Sequence, residues 1–230
     1  TKAELAAYWK KVGKEALAHL ARRPLDLVPH DPSADVPKAV RQIPVGDGRR
    51  LWIDRIDGLL GLAGMAAVEL QPWHATIDDL DHPDLLVFAI ATDRANGWQR
   101  AVATALHLHA LLQSEGLESW PKLSGGPELH VMVPIEPELT WQEAQRYGKD
   151  IAGRLTGTAL DCRYNARGVA AIGAFSPRAS PGFPIAAPLD WDRLQRGVDA
   201  AAFALRQPGD TRRGDQRVTS KSTMAPGAKT

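Results

Sequence analysis

Leu85 to Thr92 form a continuous apolar run that lies between Pro83 and Asp93. An apolar run without polar alternation is typical of a strand that is buried on both faces. Because such a strand needs packed layers above and below it, the chain requires a substantial core built from further helices and strands. The run therefore predicts a buried central strand.

Apolar patterns on both sides of this strand predict the surrounding elements. Apolar residues recur at helical spacing from Leu5 to Leu20, and this helix is expected to end before Pro24. Thr140 and Glu143 form a capping-box sequence, which predicts the start of a helix that reaches about residue 155. Further helices are predicted over residues 59–69, 98–112 and 192–205, strands over 25–28, 50–56, 129–133 and 169–175, and a loop over 29–47.

Together these elements predict a mixed α/β (α+β) domain over residues 1–206. After that point Gly, Ser, Thr, Lys and Arg dominate and no apolar period remains. This composition predicts that residues 207–230 form a disordered tail or an interdomain linker. Since the sequence begins without Met, we expect it to be a piece of a longer protein.

Charge and cysteine content narrow the classes of partner and location. The formal net charge of the 230 residues is +1, so a nucleic-acid role requires a local basic patch. Six basic residues form either such a patch or an ordinary solvated face: Arg22, Arg23, Lys38, Arg41, Arg49 and Arg50.

The single cysteine, Cys162, excludes an intrachain disulfide and favours a cytoplasmic location. No stretch approaches the roughly 18 apolar residues of a membrane span, so we expect no membrane partner.

Eight short motifs follow one another in order along the chain. They are Arg23-Pro24-Leu25, Val68-Glu69-Leu70-Gln71-Pro72-Trp73, Asp84-Leu85-Leu86-Val87-Phe88, Trp120-Pro121-Lys122-Leu123-Ser124-Gly125-Gly126, Leu129-His130-Val131, Asn165-Ala166-Arg167-Gly168, Phe175-Ser176-Pro177-Arg178-Ala179 and Pro188-Leu189-Asp190-Trp191. Taken singly, each motif is unspecific. In this order, from about residue 1 to residue 195, they resemble the polymerase domain of bacterial ATP-dependent DNA ligase D, a member of the archaeo-eukaryotic primase superfamily.

This resemblance implies a primase-polymerase fold, in which a central mixed sheet, helices and an RRM-like half surround a cleft. It also implies the addition of NTP or dNTP to DNA ends during bacterial non-homologous end joining. Domains of this family use Mn²⁺ or Mg²⁺ and recognise a 5′-phosphate at the break. The implied partners are DNA ends, ligase or nuclease domains and the Ku end-binding protein, in the bacterial cytoplasm at the nucleoid.

The metal site that the resemblance implies departs from the family pattern. Nucleotidyl transfer uses carboxylates that hold two divalent cations about 3.5–4 Å apart. In the family, two Asp residues lie two positions apart on one face of the central strand, and a third follows on a later strand. The first two positions are Ala89 and Ala91 here, and the third is Asp161, the expected catalytic residue and metal ligand. Asp93 lies on the same face, about 6.6 Å beyond residue 91, and is either a surrogate metal ligand or a solvated residue that caps the next helix.

Two explanations account for the alanines at the metal positions. Either Ala89 and Ala91 replace natural Asp residues in a protein prepared for structural work, or the domain is naturally degenerate. Other departures favour degeneracy: Gln71 stands where the family has His, and the lysines expected near residues 127–128 and 169–170 are absent.

A second group of residues matches the nucleotide-binding pocket of the family. Ser124, Gly125 and Gly126 form a turn whose amides and hydroxyl can approach a triphosphate closely. His130 faces the same cleft in the family, and Arg178 matches an arginine that neutralises the triphosphate. Each residue also has a simpler explanation, as a hairpin turn, a structural histidine or a surface charge, and only the family context groups them.

Three functions are compatible with this sequence. The first, which the degenerate metal positions favour, is binding of DNA ends or nucleotides with catalysis lost or very weak. The second is an active metal-dependent nucleotidyltransferase for primer extension and gap filling, if Ala89 and Ala91 replace natural Asp residues. The third is a purely structural module of a longer ligase chain, joined through residues 207–230.

Overall fold

The apolar run forms strand β5 (Leu85–Ala91), and its residues 86–90 are buried. In this computed structural model, which describes residues 1–29, 33–92, 97–155, 157–158 and 160–205, β5 pairs with β7 (Glu128–Pro134), and β7 pairs with β6 (Trp120–Leu123). The strand order is β5-β7-β6, so the central place belongs to β7. The prediction that this strand is buried is confirmed. The prediction that it is the central strand is wrong, because β5 lies at the edge of the sheet. The free edge of β5 is covered by an irregular segment around Asp161 instead of another strand.

A second sheet consists of four short strands in the order β2-β3-β1-β4. They are β1 (Leu25–Val28), β2 (Arg41–Val45), β3 (Gly48–Trp52) and β4 (Glu69–Pro72). The mixed α/β class is confirmed, although all strand pairs within the described ranges are antiparallel, so neither sheet is mixed. β2 lies inside the predicted loop over residues 29–47. That prediction was wrong because β2 is a largely exposed edge strand without an apolar period.

The described ranges contain five α-helices, and two of them begin or end as the sequence predicts. They are α1 (Lys2–Leu20), α2 (Ile56–Gly64), α3 (Gly97–Ser114), α4 (Trp141–Gly153) and α5 (Trp191–Arg196). The end of α1 at Leu20, before Pro24, is confirmed. The capping box at the start of α4 is confirmed as well, with the side chain of Thr140 accepting from the Glu143 N–H. Among the helices of the described part, none is both long and apolar enough to cross a membrane.

The predicted strand over residues 169–175 is absent, since this segment runs as irregular chain. It is tied to β4 by a hydrogen bond from the Gly173 N–H to the Leu70 carbonyl at 2.8 Å. A side chain at Gly173 would approach Leu20 to 2.4 Å, so the segment is wedged between α1 and β4. The apolar residues that suggested a strand serve this packing instead.

The last predicted helix is also shorter than its pattern suggests. Residues 192–205 were expected to form one helix, but α5 ends at Arg196 and a 3-10 turn follows at Ala200–Ala202. Gly197 ends α5 because its backbone has a φ of 102°, outside the helical range. The predicted tail over 207–230 lies outside the described residues.

Candidate functional site

A cleft of about 710 Å³ opens beside the C-terminal half of β5. Its lining includes Ala89 and Ala91 of β5, Glu128 at the start of β7, and Asp161 and Arg163 from the segment that follows α4. The three metal positions that the resemblance implies therefore lie in one cleft.

Asp161 reaches this cleft because its backbone pairs with the free edge of β5. Its N–H donates to the Ala89 carbonyl, and its carbonyl accepts from the Ala89 N–H, both at 2.9 Å. The side-chain amide of Asn165 makes a second pair with Val87, accepting from the Val87 N–H at 2.7 Å and donating to the Val87 carbonyl at 3.1 Å. Asn165 is only 1% exposed, so these contacts hold the segment against β5 away from water.

The Asp161 carboxylate is bound by the side chain of Arg163. One terminal nitrogen of the Arg163 guanidinium donates to Asp161, and the other donates to Glu128. The backbone N–H of Arg163 also donates to Asp161 Oδ1 at 2.8 Å. The guanidinium carbon lies 4.5 Å from the centre of the Tyr164 ring, a cation–π distance. One protein cation therefore bridges the two carboxylates of the cleft.

Glu128 accepts two further hydrogen bonds, from His130 Nε2 and from the Tyr164 hydroxyl, each at 3.0 Å. The hydrogen bond from His130, aided by those from Arg163 and Tyr164, outweighs burial and lowers the pKa of Glu128 to about 2. Burial lowers the pKa of His130 to about 4, so its ring is neutral near pH 7. A neutral ring that donates through Nε2 has an acceptor at Nδ1, which lacks a hydrogen-bond partner among the described residues.

The described residues do not fit a two-metal centre. A hard divalent cation takes several oxygen ligands, and the methyl groups of Ala89 and Ala91 offer none. Asp161 is already bound to Arg163. Within the described ranges, no group of three or more His, Cys, Asp or Glu side chains is arranged to hold a metal ion. Asp93, the other predicted ligand, lies outside the described residues.

The predicted phosphate-binding turn joins β6 to β7 and is closed by its own hydrogen bonds. The Ser124 side chain is fully buried, and its hydroxyl accepts from the N–H groups of Gly126 at 3.2 Å and Glu128 at 3.3 Å. Gly125 has a φ of +66°, and a side chain there would lie 3.0 Å from the Pro184 carbonyl oxygen, so the turn requires glycine. Two amides of the turn thus stabilise the turn itself.

Arg178 lies against this turn. Its Nε donates to the Ser124 carbonyl at 2.8 Å, and a Cβ on Gly126 would lie 2.9 Å from the same nitrogen. Its Nη1 is 3.9 Å from a carboxylate oxygen of Glu69, a long contact for an ion pair. The structure therefore brings Ser124, Gly126 and Arg178 together, while His130 is paired to Glu128 and is 0% exposed.

Two further titratable side chains are almost fully buried near the cleft. Lys122 is 2% exposed and donates from Nζ to the Ile172 carbonyl, and burial lowers its pKa to about 7. His74 is also 2% exposed and has its Nδ1 3.0 Å from the Tyr164 carbonyl oxygen. Burial lowers the pKa of His74 to about 3. Both side chains therefore favour their neutral forms far more than they would in water.

The predicted basic surface is largely paired within the fold. Arg23 makes two 2.6 Å hydrogen bonds with Asp84, and its side chain is only 16% exposed, so it links the end of α1 to the start of β5. Arg49 donates to the Gln42 side-chain oxygen at 3.1 Å, and that neutral partner does not cancel its charge. Three other members each contact an aspartate: Arg22, Arg41 and Arg50.

Sequence reasoning misses Glu128, Arg163 and Tyr164 as site residues. A signal for Glu128 exists, because it precedes His130 by two positions on a strand and alternate strand residues share a face. Arg163 likewise follows Asp161 by two positions. The contact between Arg163 and Glu128 joins residues 35 positions apart and has no local signal.

The two sheets and the helices have the fold of a polymerase domain of known structure. The structure aligns with the polymerase domain from Mycobacterium tuberculosis ligase D in complex with DNA, with a TM-score of 0.73 and 20% sequence identity. The alignment covers 90% of this chain and 87% of that one. The expected fold is therefore confirmed.

The chain belongs to the family described as the LigD primase-polymerase domain, whose model matches residues 1–161 and 154–216. It is 28% identical over 241 residues to the multifunctional non-homologous end joining protein LigD of Pseudomonas aeruginosa, covering 90% of this chain and 29% of that protein. It is 25% identical over 236 residues to the bifunctional non-homologous end joining protein LigD of Bacillus subtilis, covering 89% of this chain and 38% of that protein. The chain thus spans about a third of the length of these relatives.

Proposed function

We propose that this domain binds DNA ends or nucleotides in bacterial non-homologous end joining, and that its polymerase activity is lost or very weak. Family membership supports the repair context. The proposal that activity is lost rests on the side chains present at the positions where the family binds metal ions. Ala89 and Ala91 offer no ligand atoms, and the carboxylate of Asp161 is bound to Arg163.

Binding without catalysis is chemically reasonable because phosphate recognition and metal-assisted transfer use different groups. Transfer requires divalent cations that neutralise the charge developing on the triphosphate. Recognition of a phosphate requires only donors and cations, and the Arg178 guanidinium is a cation of this kind beside the turn. The ligands proposed on this basis are a DNA end with a 5′-phosphate and an NTP or dNTP, near Ser124, Gly125, Gly126, His130 and Arg178.

The experiment that tests this proposal combines binding and extension. Fluorescence anisotropy would measure binding of a gapped DNA with a 5′-phosphate, beside the same DNA with a 5′-hydroxyl, at several salt concentrations. Primer extension with NTPs or dNTPs and Mn²⁺ would be measured on the same DNA, with Asp161→Ala as the control. We expect salt-dependent binding, because phosphate contacts release counterions, and no extension above background. Absence of binding even at low salt would overturn the proposal.

An active nucleotidyltransferase is the second candidate, and one observation favours it. The side chain of Asp161 lies in an open cleft and is 44% exposed, so a substrate can reach it. Extension that Asp161→Ala abolishes would establish this function and would show that catalysis persists with altered ligands.

The whole-chain context is also part of the proposal. Because the chain spans 29% and 38% of two LigD relatives, we propose that it works beside ligase or nuclease domains and with the Ku end-binding protein in the bacterial cytoplasm. A pull-down with purified Ku and with a ligase domain, read beside DNA-end joining with and without this domain, would measure these contacts. Unchanged joining and no association would favour a purely structural module.

A further inference from the structure

We infer that the Arg163 guanidinium replaces a divalent cation between Asp161 and Glu128 and closes the cleft to Mn²⁺ and Mg²⁺. The inference rests on the proposed function, because it explains how the cleft keeps two carboxylates together without a metal centre. It assigns Arg163 a defined role, that of a permanent counter-cation supplied by the chain.

The register of the strands places the Arg163 guanidinium beside Ala89 and Ala91, the two positions where the family has metal-binding Asp residues. Ala91 pairs with Glu128 across β5 and β7, and Ala89 pairs with Asp161 across the free edge of β5. The two carboxylates therefore flank the two alanines from opposite sides. Arg163 contacts both carboxylates through its two terminal nitrogens, as one cation between two anions.

Every member of this arrangement is fixed by its own contacts. Asp161 is held by two backbone hydrogen bonds to Ala89 at 2.9 Å. Glu128 is held by His130 and Tyr164, each at 3.0 Å. Arg163 donates to the Tyr164 hydroxyl at 2.9 Å in addition to its two carboxylates. A network with this many partners is a preorganised cation site and not a chance surface pair.

Arg163 excludes metal ions for both electrostatic and geometric reasons. Guanidinium stays charged at all working pH values, and its planar donors match carboxylate oxygens directly. Mg²⁺ and Mn²⁺ need several oxygen ligands around them, and the carboxylate oxygens facing Arg163 are already occupied. A metal ion would have to displace Arg163 to reach the two carboxylates, and the side chains of Ala89 and Ala91 would add no ligand.

A titration of Mn²⁺ followed by electron paramagnetic resonance tests this inference, because bound Mn²⁺ loses the signal of the free aquo ion. The proteins are the full chain, Arg163→Ala, Arg163→Ala with Asp161→Asn, and Arg167→Ala. Arg167 is the matched control, since it is 49% exposed like Arg163 but pairs with Asp81 on the surface. We expect the full chain and Arg167→Ala to leave Mn²⁺ free, Arg163→Ala to bind it at least about tenfold more tightly, and Asp161→Asn to abolish that gain. A tenfold change corresponds to about 1.4 kcal/mol.

The melting temperature supplies a second readout on the same samples. MnCl₂ should raise it for Arg163→Ala and leave it unchanged for the full chain, because only a ligand that binds the folded state stabilises it. If Arg163→Ala fails to fold, Arg163→Gln keeps an amide donor without the charge and is used instead.

Two results would overturn the inference: Asp161-dependent Mn²⁺ binding by the full chain, or no gain in Mn²⁺ affinity when Arg163 is replaced. Either result is separable from failure of the proposed function. Extension by the full chain without Mn²⁺ uptake at Asp161 refutes the proposed function only. Mn²⁺ uptake at Asp161 without extension refutes this inference only.

Discussion

Replacing Asn165 with alanine should destabilise the free edge of β5, on which the cleft depends. The Asn165 amide satisfies both backbone groups of Val87, at 2.7 and 3.1 Å. Both residues are buried, so no bulk water reaches these groups in the folded protein. Asn165→Ala therefore leaves one buried donor and one buried acceptor without partners.

The expected loss follows from those two groups. An unsatisfied buried backbone group costs about 1–3 kcal/mol, so the two groups together should lower the free energy of unfolding of Asn165→Ala by about 2–6 kcal/mol. Domains are typically stable by about 5–15 kcal/mol, so this is a large fraction of the total. With an m value of about 2 kcal/mol/M, the urea midpoint should fall by about 1–3 M.

Urea unfolding followed by circular dichroism would measure this loss, with Ser114→Ala as the control. The Ser114 hydroxyl donates to the Leu111 carbonyl at an exposed helix end, so its removal should change stability by less than about 0.5 kcal/mol. Hydrogen exchange would report the local effect, because the Val87 amide should lose protection in Asn165→Ala. A loss below about 1 kcal/mol with a still-protected Val87 amide would refute this account of the β5 edge.

Three other perturbations test the buried interior. Burial holds the pKa of His74 at about 3 in the fold, whereas the unfolded chain takes up this proton below about pH 6.5. The free energy of unfolding should therefore fall between pH 6.5 and pH 5, and the fall should be shallower in His74→Gln. Equal urea midpoints at the two pH values would contradict this. Lys122 has a pKa of about 7 in the fold, so the unfolded chain holds more protons above pH 7 and stability should rise with pH by roughly 1.4 kcal/mol per unit towards pH 9. Lys122→Met should remove that rise, and a rise that persists in the variant would assign it to other groups. Gly173→Ala should lower stability by about 1–3 kcal/mol, since the new methyl would meet Leu20 at 2.4 Å, whereas Gly153→Ala has open space and should be nearly neutral in thermal melts.

Local signals explain which elements the sequence predicts correctly. The apolar run of β5 and the capping box of Thr140 depend on neighbouring residues, so they can be read without a structure. β2 escapes prediction because it is a largely exposed edge strand without an apolar period, and β4 because its partner β1 lies far earlier in the chain. Residues 169–175 were mispredicted as a strand because their apolar side chains belong to an irregular segment that packs against α1 and β4.

The candidate site shows the same division. The sequence shows the residues of the predicted turn, Arg178 and Asp161, but only the structure shows that the Ser124 hydroxyl and the His130 ring are buried and already bonded. Hydrogen-bond saturation depends on all neighbours in space, so no motif can report it. The role of the turn, His130 and Arg178 in nucleotide binding stays a prediction.

What this sequence determined by itself is the chemistry available at each position. Ala89 and Ala91 carry no ligand atoms whatever the fold, so neither side chain can hold a metal ion. What only the tertiary structure decided is which charges meet. Arg163 reaches Glu128 across 35 positions because the segment after α4 pairs with the free edge of β5, and that pairing brings a cation to the two acids of the cleft. Side-chain identity is a local property, whereas an ion pair is a property of distance in space.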